Sequence, residues 1–439
     1  MIKKFFAPVP PVAQAHGDDS AYARRVRWSV FLSSTLGYGL YYVCRLSFSV
    51  VKQPLVSEGL FTEAELGIIG SALFFAYAVG KLTNGFLADR VNIKRFLAVG
   101  LLASAIINLA LGATSLFWVF AVLWGVNGWA QSMGAPACVV GLSRWHTDKT
   151  RGSFYGFWSA SHNIGEALTF IMTAFVVSYA GWRWGFEVAG LTGLAGVLLI
   201  AFFMYDSPAS KGLPPVAASK DTGKSVGATQ LEVLKNPAVW ILALSSACMY
   251  ISRYAINSWG IFFLENEKAY TAVQASSIIS VSSVCGIVGT VFCGVVSDKF
   301  FRGSRNIPAC LLGVCNVVAL ALFVFIPKGY FAADIASMVL FGLSIGALLC
   351  YLGGLMAVDI APKSASGAAL GVVGIASYIG AGVQDVVSGM LIGSGKTVTD
   401  GVSAYDFATV KWFWISAALA STLLALLIWR KTRAAANRG

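Results

Sequence analysis

The sequence predicts an all-α membrane protein, with twelve membrane-spanning helices arranged in two pseudo-symmetric halves of six. Three observations carry this reading. The 439 residues are 57% hydrophobic and 12% charged, with a mean hydropathy of +0.72, whereas soluble domains carry about 25% charged residues. Twelve apolar stretches are long enough to cross a bilayer. The second half also repeats charged motifs of the first, its midspan arginine falling 208 positions later (253 − 45).

The predicted spans are 27–50, 64–88, 96–113, 115–141, 152–180 and 184–204, then 237–264, 271–297, 306–326, 331–357, 366–392 and 409–430. This divides the chain into a tail (1–26), a six-helix bundle (27–204), a polar linker (205–236), a second bundle (237–430) and a C-terminal tail (431–439). The net charge of +12 is mostly topological information. Lys52, Arg183, Lys268, Lys328, Lys396 and Lys411 fall in loops on one side, and Arg45, Lys81 and Arg253 inside spans. The other 23 basic residues lie in the tails, the linker and the loops of the opposite side. The positive-inside rule then places both termini and the linker in the cytoplasm, as expected for a bacterial inner-membrane protein. The same charges suit anionic lipid rather than nucleic acid. The polar start reads as a tail and not a cleavable leader. The eight cysteines form no CxxC pair and read as packing residues, without metal or disulfide.

Taken in order, Arg24-Arg25-Val26-Arg27 stops the tail at the interface. Span 1 carries Tyr38, Tyr42 and Arg45, spaced i, i+4, i+7 on one helix face. An arginine at midspan costs about 2.5–3.5 kcal/mol on insertion scales and marks a functional site by default. Thr62-Glu63-Ala64-Glu65 reads as the start of span 2, which holds Tyr77 and Lys81 one turn apart. Span 2 ends in a short loop with Asp89 and Arg90, read as a latch between helix ends. Gly and Pro in Asn127–Pro136 permit bending of span 4. Span 5 holds His162 and Glu166 one turn apart, in reach of one another.

The second bundle echoes the first. Tyr250-Ile251-Ser252-Arg253 matches Tyr42-Val43-Cys44-Arg45. The Asp298-Lys299 loop matches Asp89-Arg90, and Ala376–Gly380, with Tyr378, loosely matches Ala160–Gly165. Repeats related by an axis along the membrane normal place a site near midplane between the halves. Arg45 and Arg253 would then face each other across a cavity. Their alternative is structural pairing with Glu166 or Asp385, the candidate acids within the spans. A guanidinium fork suits phosphate, and carboxylate fits almost as well. Lys81 either contacts substrate or bonds a helix carbonyl. His162 is a core histidine or a phosphate or proton ligand. Asp385 bonds Gln384 or Ser388, or reads sugar hydroxyls. His16 and His146 read as tail and loop residues. Gly393–Thr397 lacks the first glycine and the strand of a nucleotide loop and reads as a plain loop, so no cofactor is expected.

These motifs together resemble the organophosphate:phosphate antiporters of the major facilitator superfamily, a group with glycerol-3-phosphate and hexose-phosphate transporters and a hexose-phosphate sensor. The likeness runs from about residue 20 to 430. It is carried by Gly37-Tyr38, Tyr41-Tyr42 and Arg45, Ala76–Lys81, Ser161–Gly165, Arg253-Tyr254 with Ser258-Trp259, Ser297–Lys299 with Phe301–Gly303, and Ala361–Lys363. The resemblance implies the major facilitator fold. It implies that Arg45 and Arg253 bind a phosphoryl group helped by Lys81 and His162, and that Tyr38, Tyr42, Tyr77 and Tyr378 line the pore. It further implies exchange of an organic phosphate for inorganic phosphate by rocking of the halves, in a monomer. A sensor would instead need a membrane kinase as partner. In that picture the empty carrier holds two unpaired arginines, which a phosphate dianion neutralises. Two departures stand out. Glu166 replaces the usual second glycine, adding a carboxylate suited to proton coupling. Ala381 and Gln384 replace the acid and lysine of hexose-phosphate transporters, with Asp385 one step on. A proton-coupled carrier of another anionic solute is the remaining expectation.

Overall fold

The computed structural model describes residues 2–13, 17, 20–88, 90–214, 233–301, 304–360, 366–400 and 402–436. The first half comprises α1 (Ala21–Ser57), α2 (Glu63–Ala88), α3 (Ile93–Gly112), α4 (Phe117–Gln131), α5 (Gly134–Trp145), α6 (Asp148–Ser159), α7 (Ser161–Ala180) and α8 (Trp182–Phe203). The second comprises α9 (Pro237–Glu267), α10 (Ala272–Phe300), α11 (Asn306–Phe325), α12 (Phe331–Cys350), α13 (Met356–Ile360), α14 (Ser366–Ser394) and α15 (Ala408–Ala436). A π-helical turn over Tyr351–Leu355 joins α12 to α13.

Ten stretches among the described residues are long and apolar enough to span a membrane. The two further spans of the twelve-helix fold are α1 and the α4–α5 pair. Serines, tyrosines and Arg45 lower the hydropathy of α1, and the fourth span is two shorter helices broken at Ser132–Met133. The fifth span likewise breaks at Ala160, between α6 and α7.

The helix ends differ from the expected spans for identifiable reasons. Ser20 caps α1 through its hydroxyl, which accepts the Ala23 N–H at 3.1 Å, so the helix starts ahead of residue 27. At its far end α1 runs on to Ser57 and closes at Gly59, with φ +68°. Lys52 is therefore a helix residue, fully buried, and not a loop residue as its charge suggested. Thr62 and Glu65 cap α2 reciprocally: the Glu65 carboxylate accepts the Thr62 N–H at 2.8 Å and the Thr62 hydroxyl accepts the Glu65 N–H at 3.2 Å. Lys396–Thr399 pairs antiparallel with Val402–Tyr405, a hairpin where a plain loop was expected.

The halves meet along three helix pairs: α2 on α14, α7 on α10, and α1 on α9. Small residues allow the first of these. A Cβ on Gly67 would lie 2.6 Å from the Asp385 carbonyl oxygen, and one on Gly389 2.5 Å from that of Glu63. Within the first half the same device seats α4 on α2, where a Cβ on Gly128 would lie 2.1 Å from the Leu73 carbonyl oxygen.

Gly128→Ala should therefore lower stability by about 1–3 kcal/mol through overpacking. Gly85→Ala on α2, where a Cβ meets nothing within 4 Å, should be neutral or stabilising by up to about 1 kcal/mol. Thermal melts of both purified variants check this; equal melting temperatures would refute the packing account.

Candidate anion-binding site

The site is built on the polar face of α1. Side chains of neighbouring helices hold that face in register. The Asn108 and Asn127 amides donate to the Cys44 carbonyl at 2.9 and 3.1 Å, and the Gln131 amide to the Tyr41 carbonyl at 2.9 Å. Tyr41 in turn donates to the Leu97 carbonyl at 2.6 Å. These buried bonds to α1 from α3 and α4 fix the backbone beside Arg45.

Arg45 is 3% exposed. Its guanidinium carbon lies 4.5 Å from the ring centre of Tyr77, 5.3 Å from Tyr378, 5.4 Å from Tyr42 and 5.9 Å from Phe74. Such faces attract a cation, but they accept no in-plane hydrogen bond. Nε and Nη2 are buried without a partner among the described residues. Leaving such a donor unsatisfied costs about 1–3 kcal/mol each, more for a charged group.

The partner arginine behaves differently. Arg253, from α9, pairs with Glu166 of α7, whose other oxygen accepts from the Ser283 hydroxyl at 3.3 Å. The expectation of two unpaired arginines is thus corrected to one. Glu166 does not bond His162, since its carboxylate is turned toward the other half. The His162 ring instead packs 5.7 Å from Tyr42, with Nε2 buried and unpartnered.

The remaining predicted residues converge on the same place. Tyr77 and Tyr378 stack across the halves at 4.2 Å, Tyr38 packs edge-on against Tyr42 at 5.6 Å, and Lys81 sets its ammonium 5.1 Å over Tyr378. Three residues complete the aromatic lining without having been singled out. Tyr254 packs 4.5 Å from Phe74 and carries an unpartnered hydroxyl, and Tyr250 packs 5.4 Å from Tyr378. Tyr250 and Tyr254, one turn apart and flanking Arg253 on α9, were a legible signal.

Asp385 bonds neither Gln384 nor Ser388, which bond each other. It takes Lys52 at 3.0 Å, the Ser258 hydroxyl at 2.7 Å and the Trp259 indole N–H at 2.5 Å. Lys52 lies seven residues beyond Arg45, on the same face of α1, so spacing alone could have found it. Glu63 of α2 adds a further tie, accepting from Lys396 at 2.8 Å and Tyr405 at 2.5 Å. Lys52–Asp385, Glu63–Lys396 and Glu166–Arg253 all join one half to the other. The first two lie at the bundle end that carries the α1–α2 loop. Among the described residues no ion pair joins the halves at the opposite end.

Asp89 lies outside the described residues, as does the side chain of Asp298. Arg90 is exposed in the turn after α2, and Lys299 is exposed in the last turn of α10; neither reaches the site.

The arrangement is a compact, buried cluster of cationic and aromatic side chains between two helical bundles. The model of a family described as Major Facilitator Superfamily matches residues 30–385. The chain is 33% identical over 404 residues to a "Probable hexose phosphate transport protein" of Chlamydia pneumoniae, covering 86% of this chain and 88% of that one. It is 29% identical over 390 residues to the "Membrane sensor protein UhpC" of Salmonella typhimurium, with 86% and 88% covered. A "Glycerol-3-phosphate transporter" of Bacillus subtilis is 31% identical over 395 residues, with 85% and 88% covered. Among solved structures, a bacterial homologue of the human lysosomal transporter Spinster, inward-facing and unoccupied, superposes with a TM-score of 0.70 at 17% identity, covering 92% and 95%. That last likeness is one of fold.

Lys52→Met should destabilise the protein by about 3–5 kcal/mol by stranding a buried carboxylate, and Lys52→Met with Asp385→Leu should recover most of the loss. Melts of the single and double variants test this; a double variant no better than Lys52→Met would show that the pair is not the unit of stability.

Proposed function

The chain belongs to the organophosphate:phosphate antiporter family of the Major Facilitator Superfamily, and from that premise we propose that it exchanges an organic phosphate ester for inorganic phosphate by alternating access. Families of this kind are multi-pass membrane transporters, and the relatives' names point to a hexose phosphate or glycerol 3-phosphate as the ester. The observation that supports this reading most is Arg45, whose two buried donors lack a partner among the described residues while tyrosines surround them.

A phosphoryl dianion would seat on the Arg45 fork, two oxygens against two N–H groups. His162 Nε2 and the Tyr254 hydroxyl are further unpartnered polar atoms around the same cage, and Lys81 adds charge from beside Tyr378. Arg253 is reached only by displacing Glu166. Substrate and Glu166 therefore compete for one guanidinium, and that competition couples binding to the contact between halves. With phosphate aboard, both arginines are neutralised and the halves can rearrange about it. Empty, the carrier can release Glu166 from Arg253 only by leaving both charges buried and unpaired, so its return is slow. Exchange is then faster than one-way movement. In this scheme Lys52–Asp385 and Glu63–Lys396 close the α1–α2 end and part when that end opens.

Vesicles loaded with inorganic phosphate should take up labelled glucose 6-phosphate or glycerol 3-phosphate, and empty ones should not. Equal uptake would exclude obligatory exchange, and binding without any flux would mark a sensor. Arg45→Lys should lower transport at least about tenfold, the effect of losing one charge-assisted hydrogen bond of about 1.4 kcal/mol. Glu166→Gln should tighten phosphate binding, read as a larger thermal shift per added ligand; an unchanged or smaller shift would reject the competition between Glu166 and substrate.

A further inference from the structure

The face of α1 that carries Arg45 does not end at Tyr38. Arg24, Trp28, Phe31 and Thr35 continue it at three- and four-residue spacing, toward the end where α1 begins. Phe154, Trp158 and His162 of α6 and α7 answer it at one-turn intervals. Phe154 packs against Trp28 at 5.7 Å and Phe31 at 4.9 Å, Trp158 against Tyr38 at 4.9 Å, and His162 against Tyr42 at 5.7 Å. An aromatic seam therefore runs from the Arg45 cage to the bundle end opposite Lys52–Asp385 and Glu63–Lys396.

At that end the seam opens into a polar cavity of about 320 Å³, lined by Arg24, Arg27, His146 and Thr150, among others. An apolar groove of about 340 Å³, between Trp28, Thr35, Phe154 and Phe157, leads from it toward Tyr38. His146 closes α5 and is only 5% exposed, yet its Nε2 is buried with no partner among the described residues. It is therefore not the simple loop residue its sequence position suggests. Its ring stacks on Phe154 at 3.8 Å, which fixes its orientation. Burial and the nearby Arg27 charge lower its pKa to about 4, so near neutral pH it offers one N–H and no charge. Leaving such a group unsatisfied is costly, and beside two guanidinium groups the partner that suits all three is an anion. Arg27 and Arg45 stand 18 residues apart on one helix (45 − 27), about 27 Å. No phosphorylated sugar spans that length, so an anion in this cavity is not also on the Arg45 fork.

We propose that the cavity is a second anion site, a station at the mouth of the pathway that holds a phosphate dianion, free or esterified, between Arg24, Arg27 and the His146 imidazole. The groove beyond it offers aromatic faces to the carbon skeleton of an ester. The station rests on the exchange reading for the kind of anion, and adds to it a waiting position outside the Arg45 cage. Clustered basic groups at a mouth raise the local concentration of anions, so the station acts on capture and not on the step at Arg45.

Imidazole NMR of the purified protein in phosphatidylcholine nanodiscs, titrated with inorganic phosphate, tests it. The His146 resonance, identified by its loss in His146→Asn, should move with added phosphate. Its pKa should rise, because a neighbouring anion favours the imidazolium. It should respond alike in Arg45→Ala, where the central fork is gone. Arg24→Gln should raise the half-saturating phosphate about two- to fivefold, the weight of one exposed ionic contact. Arg24 is exposed, so its variant keeps the fold. If His146→Asn unfolds, His16→Asn and His162→Asn assign the resonance by elimination. A resonance unmoved by phosphate, moved equally by chloride at the same ionic strength, or moved as readily in Arg24→Gln would overturn the proposal. So would a response lost in Arg45→Ala, which would make His146 a reporter of the central site. A response seen only when phosphatidylglycerol replaces phosphatidylcholine would overturn it too, by making the cavity a headgroup site. Failure of phosphate-driven uptake in vesicles would instead strike the exchange reading and leave the His146 response standing.

Discussion

The molecule is organised around a cation buried where no acid among the described residues answers it. Arg45 sits on a helix whose backbone is pinned by three amide side chains, and four aromatic rings approach its guanidinium. The rings moderate the charge, while Nε and Nη2 have no partner among the described residues. A buried charge is tolerable when paired and costly when not. The proposed phosphoryl site rests on that imbalance.

The internal repeat makes the contrast informative. Arg45 and Arg253 occupy equivalent positions, yet only Arg253 is neutralised, and by a carboxylate from the other half. The asymmetry comes from one residue, Glu166, placed where the helix backbone would otherwise present a small side chain. The pair does two things at once: it lowers the cost of one guanidinium and ties α7 to α9. The proposed exchange depends on an anion taking over the first task and so loosening the second.

The other bridges between the halves have a different character. Lys52–Asp385 is sealed by Ser258 and Trp259, and Glu63 is held by Lys396 and Tyr405 of the hairpin. Both lie beyond the aromatic cage, toward the α1–α2 end, where Gly67 and Gly389 let α2 and α14 approach closely. Buried pairs of this sort contribute specificity of contact more than net stability, which suits the opening and closing proposed for this interface.

By itself the sequence determined the class, the six-plus-six division, the family, and the polar face of Tyr38, Tyr42 and Arg45. Hydropathy, repeat spacing and helical periodicity are local properties, and each can be read along one chain. It also offered Glu166 and Asp385 as candidate partner acids within the spans. Only the tertiary structure decided which cation each would take. Glu166 went to Arg253 rather than to His162 one turn away, and Asp385 to Lys52, whose charge near the end of an apolar run had suggested a loop. Pairings between residues hundreds of positions apart depend on which helix faces the packing of the halves brings together, and one strand of sequence carries no record of that approach.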